Sequence, residues 1–255
     1  MKQIDPHPIV KHQAEFRFYQ ELNDFLPADL RKRSFIHEFI GQPAIKDTIE
    51  AIGIPHTEID LILVEGTSVG FNHRIYGGER IAVYPMFESL DISPLIRLRP
   101  KPLRVPRFIA DVNLGRLANY LRILGFDTYY ENRQDDHEIV ERSVSEQRII
   151  LTRDLGVLKH GQVTHGYWVR NRQPLKQVEE VLRALQLEKS VRPFSRCSAC
   201  NGGLRHATPA ELQEELPEFA RDSYDTFFVC RSCAKIYWRG SHYDRLCEWI
   251  DRLMS

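Results

Sequence analysis

Phe108-Ile-Ala-Asp-Val-Asn-Leu-Gly-Arg-Leu-Ala-Asn-Tyr-Leu-Arg-Ile-Leu-Gly-Phe-Asp127 is the stretch that decides the fold of the middle of this chain. Arg107-Phe-Ile-Ala reads as a short buried strand that ends at Asp111. Leu114, Leu117, Leu121 and Leu124 then recur at helical spacing, and Gly125 fits the helix stop. Downstream the alternation continues. Thr128-Tyr-Tyr is a second strand, and residues 136–145 read as a helix with Asp135 or Asp136 as its N-cap. Arg148-Ile-Ile-Leu-Thr is a third strand running into Arg153-Asp154, followed by a short helix over 155–160. Tyr167-Trp-Val-Arg is a fourth strand. Pro174 opens a helix carrying Leu175, Val178, Val181, Leu182 and Leu185. Strands alternating with helices predict a parallel sheet with helices on both faces, spanning 107–190.

In such a sheet the groups at the C-terminal strand ends share one crevice. Asp111 follows the first strand, Asp135 and Asp136 the second, and Asp154 the third. Asp127 precedes its strand and belongs to the opposite edge. Carboxylates gathered on one edge repel one another unless a divalent cation neutralises them, and hard oxygen ligands suit Mg²⁺ or Mn²⁺. Such an ion can activate water and stabilise a leaving oxygen in phosphodiester hydrolysis. Each aspartate also has a plainer reading as a helix cap. Asn113 is a candidate ligand or supporting residue. Arg116, Arg122 and Arg153 are candidate phosphate holders, with solvated surface as the alternative. His137, in a first helical turn, reads as exposed.

Two C-x-x-C pairs, Cys197-Ser-Ala-Cys200 and Cys230-Arg-Ser-Cys233, lie 29 residues apart in the last quarter. Two such knuckles complete a tetrahedral four-thiolate site, an arrangement typical of structural Zn²⁺ and closed to substrate. The opening Met-Lys-Gln-Ile-Asp-Pro-His-Pro lacks a signal peptide's apolar core, so a reducing, cytoplasmic setting is expected and disulfides are not. Cys247 sits in a helical pattern with Leu246, Trp249, Ile250 and Leu253 and reads as a packed thiol. Residues 191–255 thus form a zinc ribbon with a C-terminal helix. Thr208 to Pro217 is expected as an acidic helix of about two turns. Phe227-Phe-Val-Cys and Lys235-Ile-Tyr-Trp are the expected hairpin. Trp238-Arg-Gly-Ser-His242-Tyr mixes stacking, basic and hydrogen-bonding groups suited to single-stranded RNA, with Trp238, Arg239 and His242 the candidates. Packing of Trp238 on the ribbon is the alternative.

The first 90 residues read β-β-α-β-β: strands near Glu15-Phe-Arg-Phe-Tyr and Ser34-Phe-Ile-His-Glu-Phe, a helix over 44–53, and strands at 59–64 and 75–85. That is the order of a β-grasp domain. The chain carries 35 Lys+Arg and 35 Asp+Glu, so overall charge selects no partner. Locally, residues 1–90 hold 9 basic and 13 acidic side chains, whereas 91–110 hold 5 and 1. Residues 91–106 form a basic, proline-rich linker, semi-rigid by composition. No apolar run approaches the ~20 residues of a membrane span.

Two resemblances follow from these residues. Thr48-Ile-Glu-Ala-Ile-Gly-Ile-Pro-His-Thr-Glu-Ile-Asp-Leu-Ile-Leu-Val with Gly78-Glu-Arg-Ile-Ala-Val-Tyr-Pro-Met-Phe resembles the ubiquitin-like, sulfur-carrier-type fold. Carriers of that type need a free C-terminal Gly-Gly. Here the last strand continues into Glu88-Ser-Leu-Asp-Ile-Ser-Pro, and Gly77-Gly78 is expected inside a hairpin turn, so docking a protein partner or covering substrate is the expected role. The stretch 108–127, Ile149-Ile-Leu-Thr-Arg-Asp, the C-x-x-C pairs and Tyr237-Trp-Arg-Gly-Ser-His-Tyr resemble the Mut-seven C-terminal ribonuclease domain over about 107–245. The resemblance implies a PIN-like fold, acidic residues holding Mg²⁺ or Mn²⁺, and RNA as substrate, with tRNA and ribosome-associated RNA among the possible targets. Asp111, Asp135, Asp136 and Asp154 match its acidic motifs. The expectation is a metal-dependent ribonuclease: Asp111, Asp136 and Asp154 hold the ion, Asp135 assists, and Asn113, Arg116, Arg153, Trp238, Arg239 and His242 contact RNA. The alternative is a non-catalytic RNA- or ribosome-associated protein that keeps the fold.

Overall fold

The computed structural model describes residues 10–85, 95–96, 98, 105–212 and 216–254. Strand β1 (Lys11–Phe18) buries alternate residues Ala14, Phe16 and Phe18, as the two-residue period of a half-covered strand requires. It pairs antiparallel with β2 (Phe35–Ile40). Helix α1 (Ile45–Ile52) turns Ile45 and Ile49 into the same core and stops at Gly53, whose φ of 124° suits glycine. Strands β3 (Ile59–Val64), β4 (Thr67–Ser68) and β5 (Arg80–Pro85) complete a mixed sheet in the order β2-β1-β5-β3-β4. The central pair β1/β5 is parallel and the others antiparallel, which gives the β-grasp architecture.

Two details differ from the sequence reading. Strand β4 is an added strand of two residues, too short to show a pattern. Gly77-Gly78 is not a hairpin turn, because β4 and β5 both pair with β3 and not with each other. The glycines, at φ 111° and 88°, lie in the loop entering β5. Gly78 N–H donates to Gln13 O (2.7 Å), and the Glu79 carboxylate accepts from the amides of Tyr76 and Gly77. Strand-partner choice is a long-range event that a local Gly-Gly signal does not encode. Of the linker, Leu98 packs on this core and its N–H donates to Asp60 O (2.9 Å). Residues 86–94, 97 and 99–104, which hold the expected strand extension and most of the basic stretch, lie outside the described residues.

The α/β elements follow the predicted order: β6 (Arg107–Ala110), α2 (Gly115–Ile123), β7 (Asp127–Tyr129), α3 (Asp136–Glu146), β8 (Ile149–Thr152), α4 (Leu155–Leu158), β9 (Gly166–Trp168) and α5 (Pro174–Ala184). β6 is central and parallel to both β7 and β8. A further bond from Val169 N to Thr152 O (2.8 Å) follows at the end of β8. Leu117 and Leu121 of α2 are fully buried, each worth roughly 1.5–3 kcal/mol. Gly125, at φ 94°, ends α2 where the chain of the cysteine module crosses it. Arg192 N and Phe194 N cap the helix carbonyls of Leu124 and Ile123, both at 2.8 Å. A Cβ at Gly125 would lie 2.2 Å from Arg192 O. Gly125→Ala is therefore expected to cost at least about 2 kcal/mol, read as a lowered melting temperature.

The C-terminal module is a three-stranded antiparallel sheet, β10-β11-β12 (Leu204–Ala207, Phe227–Cys230, Ile236–Trp238), with α7 (Ser241–Met254) after it. The predicted hairpin is β11/β12; β10 is an additional strand. The expected acidic helix over 208–217 is replaced by a 3-10 turn (Pro209–Leu212) and α6 (Glu218–Ser223). Pro217 disfavours helix in the residue before it and starts α6 instead of ending a helix. Residues 213–215 lie outside the described residues.

By packing, the chain forms two compact units: Met1–Pro102 with Asp154–Trp168, and Leu103–Arg153 with Val169–Ser255.

Candidate functional site

At the C-terminal end of β6 the Asp111 carboxylate is 5 % exposed. Its Oδ2 accepts from the Thr152 hydroxyl at 2.6 Å, and its N–H donates to Leu151 O. Thr152 ends the neighbouring parallel strand, so this pair marks one edge of the sheet. On that edge the Tyr130 hydroxyl, just past β7, lies 3.0 Å from Val112 O and 2.8 Å from Asn132 Oδ1, and its one hydrogen can go to either. Gly115 permits that position: a Cβ there would lie 2.5 Å from the Tyr130 hydroxyl. Beside them runs a cleft of about 540 Å³ lined by Asn113, Arg116, Asn119, Tyr130, Asn132 and Arg172, among others. Its donors and two arginines can meet phosphate oxygens.

Sequence reasoning placed Asn113 and Arg116 here but missed Thr152, Tyr130, Asn119, Asn132 and Arg172. Thr152 and Tyr130 stand at or just past strand ends, where the edge rule that found Asp111 also applies.

Asp135 and Asp136 begin α3. Asp135 Oδ1 accepts from Glu138 N (2.8 Å) while Glu138 returns a bond to Asp135 N, a complete capping box. Asp136 is exposed in the first turn. Asp154 caps α4, its Oδ1 accepting from Gly156 N at 2.7 Å. Arg153 is exposed and reaches Asn171 O at 3.4 Å. Asp127 sits on the other edge, its residue paired in register with Arg107 at the strand starts. It accepts from Arg148 (2.7 Å) and Asn201 (2.8 Å) and lies 3.5 Å from Arg196. Burial opposes its ionisation, yet those partners hold its carboxyl below the usual range.

Asp127 thereby ties the first cysteine knuckle to the sheet. Asn201 also accepts from Thr128 N, and the buried Arg122 donates to Thr128 O (2.8 Å) and to the knuckle carbonyls of Ser198 (3.1 Å) and Ala199 (2.9 Å). Arg122 is thus a structural bracket and not a phosphate holder.

The four cysteine sulfurs all lie within 4.8 Å of one another, and among the described residues they are the only group of three or more His, Cys, Asp or Glu so gathered. Cys197–Cys233 is 3.7 Å and Cys200–Cys230 is 3.4 Å. A Zn–S bond of about 2.3 Å implies tetrahedral edges of about 3.8 Å, so the donor set fits zinc. Backbone amides of Ser232 and Cys233 point at Cys230 Sγ, at 3.4 and 3.5 Å. A Cβ at Gly202 would lie 2.9 Å from that sulfur, so glycine lets the knuckles close. Four thiols in one place do not ionise alike. Burial and the neighbouring sulfurs push Cys200 up to about 12. Burial also opposes ionisation of Cys197, but the Tyr237 hydroxyl (3.0 Å) and nearby amides draw it down to about 6. A divalent cation is what lets all four ionise together. Cys247 lies outside the cluster.

Trp238 packs on the ribbon core with Tyr224 and also lines an aromatic pocket of about 410 Å³ with Phe228, Tyr237, Tyr243 and His242. Packing on the ribbon, the alternative reading of this tryptophan, is what the structure shows. Arg239 is exposed, its guanidinium 5.6 Å from the Tyr243 ring.

A β-grasp-like sheet domain, a parallel α/β domain and a four-cysteine cluster whose spacing fits zinc make up the described chain. Residues 106–250 match the Mut7-C RNAse domain and residues 11–91 the Mut7-C ubiquitin domain, and the chain belongs to the Mut7-C RNase family. No curated protein and no solved structure matches the chain. No helix among the described residues is long and apolar enough to cross a membrane.

Proposed function

We propose that this chain is a cytoplasmic, metal-dependent ribonuclease that hydrolyses RNA phosphodiester bonds. The observation that carries the reading is the ribonuclease-family match across 106–250, with Asp111 buried at the C-terminal end of the central strand β6. Asp111 would hold Mg²⁺ or Mn²⁺, with Asp136 and Asp154 the further carboxylates that the family resemblance implies for the ion; among the described residues no three carboxylates are gathered as the four cysteines are. Asp111 fits the part: Thr152 orients one of its oxygens, and the other has no protein donor among the described residues. A bound ion would supply Lewis-acid stabilisation of the phosphate charge and an activated water.

The remaining work falls to the chain. Arg116 and Arg172 neutralise RNA phosphates in the cleft, Asn113, Asn119 and Asn132 hydrogen-bond to the backbone, and Arg153 adds a further positive charge at the C-terminal end of β8. Asp135, by capping α3, fixes the turn that carries Asp136. The zinc module holds the strand through Trp238, Arg239 and His242. Tenfold loss of RNA affinity is about 1.4 kcal/mol, within the range of one base–aromatic stack. Trp238→Ala is expected to lose about that much, measured by fluorescence anisotropy with single-stranded RNA.

The alternative is an RNA-binding protein that keeps the fold without cleaving. It is favoured by one observation: Asp135 and Asp154 already serve as helix caps. Incubating labelled single-stranded and structured RNAs with Mn²⁺ or with EDTA separates the two. Cleavage abolished by EDTA supports the enzyme, and salt-dependent binding without cleavage supports the alternative.

A further inference from the structure

We propose that the ubiquitin-like domain works in cis as a clamp on residues 154–168, with His56 as its positioning residue. That segment lies inside the ribonuclease-family match and begins at Asp154, yet it packs as one unit with the N-terminal domain. Its own elements are α4, of four residues, and β9, of three. Pieces so short do not hold themselves in water, since a helix needs roughly 12–15 residues to be even marginally stable alone. Something must fix them, and the contacts name it.

His56 is 8 % exposed and stands just before β3. Its Nδ1 lies 2.6 Å from Glu50 Oε1, and its Nε2 lies 2.9 Å from Val163 O. Both partners are oxygen acceptors, so each ring nitrogen that carries a hydrogen donates one of these bonds, one into α1 and one into the segment. Burial works against ionisation of Glu50, but the His56 bond keeps its carboxyl below the usual range. The Glu50 backbone carbonyl in turn accepts from Lys159 Nζ at 2.9 Å, so α1 grips the segment at a second point. At its far end Glu58 Oε1 accepts from Trp168 N at 2.8 Å, and the Trp168 ring packs on Phe25 at a 36° tilt, with centroids 4.8 Å apart.

Gripped at residues 159, 163 and 168, the segment is held along most of its length by α1, the turn before β3 and Phe25. The face of the β-grasp domain that makes these contacts is therefore occupied by the same chain. The Gly-Gly pair that a carrier would need free is buried in sequence between β4 and β5. On the ribonuclease reading of the preceding subsection, the clamp sets the position of Asp154, and loosening it slows turnover without weakening RNA binding.

The test uses full-length protein and hydrogen exchange read by mass spectrometry across 154–168, alongside cleavage kinetics. His56→Ala is expected to speed exchange in 160–168 by about tenfold or more and to lower kcat by a similar factor with KM for RNA unchanged. Val83→Ala, a core truncation in β5 that removes none of these bonds, controls for general loss of stability and should leave 160–168 protected. If His56→Ala lacks a cooperative melt, Lys159→Met takes its place with the same expectation. Exchange within twofold of wild type in the folded variant overturns the clamp. If the wild type cleaves no RNA, the ribonuclease reading fails alone, because the exchange result still decides the clamp.

Discussion

Asp111→Asn is expected to lower Mn²⁺-dependent RNA cleavage by about 100-fold or more, some 2.7 kcal/mol in barrier height, while the fold survives. The side chain is isosteric, so its oxygen can still accept from the Thr152 hydroxyl that now sits 2.6 Å from Oδ2. What the substitution removes is the negative charge, at a position 5 % exposed, where little water competes for a ligand. Replacing a buried carboxylate by a neutral amide has a small stability cost, so the melting temperature should move by only a few degrees while the rate collapses. RNA affinity should stay within a few-fold of wild type, since the arginines of the neighbouring cleft are untouched. A variant that cleaves at the wild-type rate would take Asp111 out of the mechanism and favour the binding-protein alternative.

Cys230→Ser, or stripping the metal with a strong chelator, is expected to collapse the C-terminal module. Apparent zinc binding of about 10–16 kcal/mol at such sites is folding free energy, comparable to or larger than the ~5–15 kcal/mol that holds a whole domain. The apolar core of this module is small: Ala207, Leu212, Leu216, Ala220, Phe227 and Val229 are its buried members. That is too little to replace the ion. Near-UV circular dichroism from Trp238 and the neighbouring tyrosines should flatten, and RNA affinity should fall at least as far as in Trp238→Ala. The Arg122 and Asn201 bonds that join the first knuckle to the sheet should loosen with it. Metal analysis gives the decisive reading: a Cys230→Ser protein that retains stoichiometric zinc and full RNA affinity would refute four-thiolate closure.

How far these sites were legible differs by the range of the signal. The strand ending at Asp111, the Leu114/117/121/124 stripe and the paired cysteines are local patterns, and each appears where its spacing placed it. The β10 strand and the short β4 escaped notice because two to four residues without strong alternation carry little periodicity. Arg122 was misread as a phosphate candidate because a sequence does not reveal that the carbonyls of Ser198 and Ala199 come to meet it. Asp127 could be assigned to the far edge but not to its partners, which lie 21 and 74 residues away.

The sequence by itself determined the alternation of strands and helices over 107–190, the four-thiolate donor set and the edge of the sheet on which Asp111 stands. All of these follow from spacing along the chain and from side-chain chemistry. Only the tertiary structure decided that Asp135 and Asp154 are caps in use, that Gly77-Gly78 belongs to a loop against β1, and that residues 154–168 pack with the ubiquitin-like domain through His56 and Glu58. The last of these joins groups more than a hundred residues apart in the chain. Such pairings are selected by burial and hydrogen-bond satisfaction in the folded state, which no local period records.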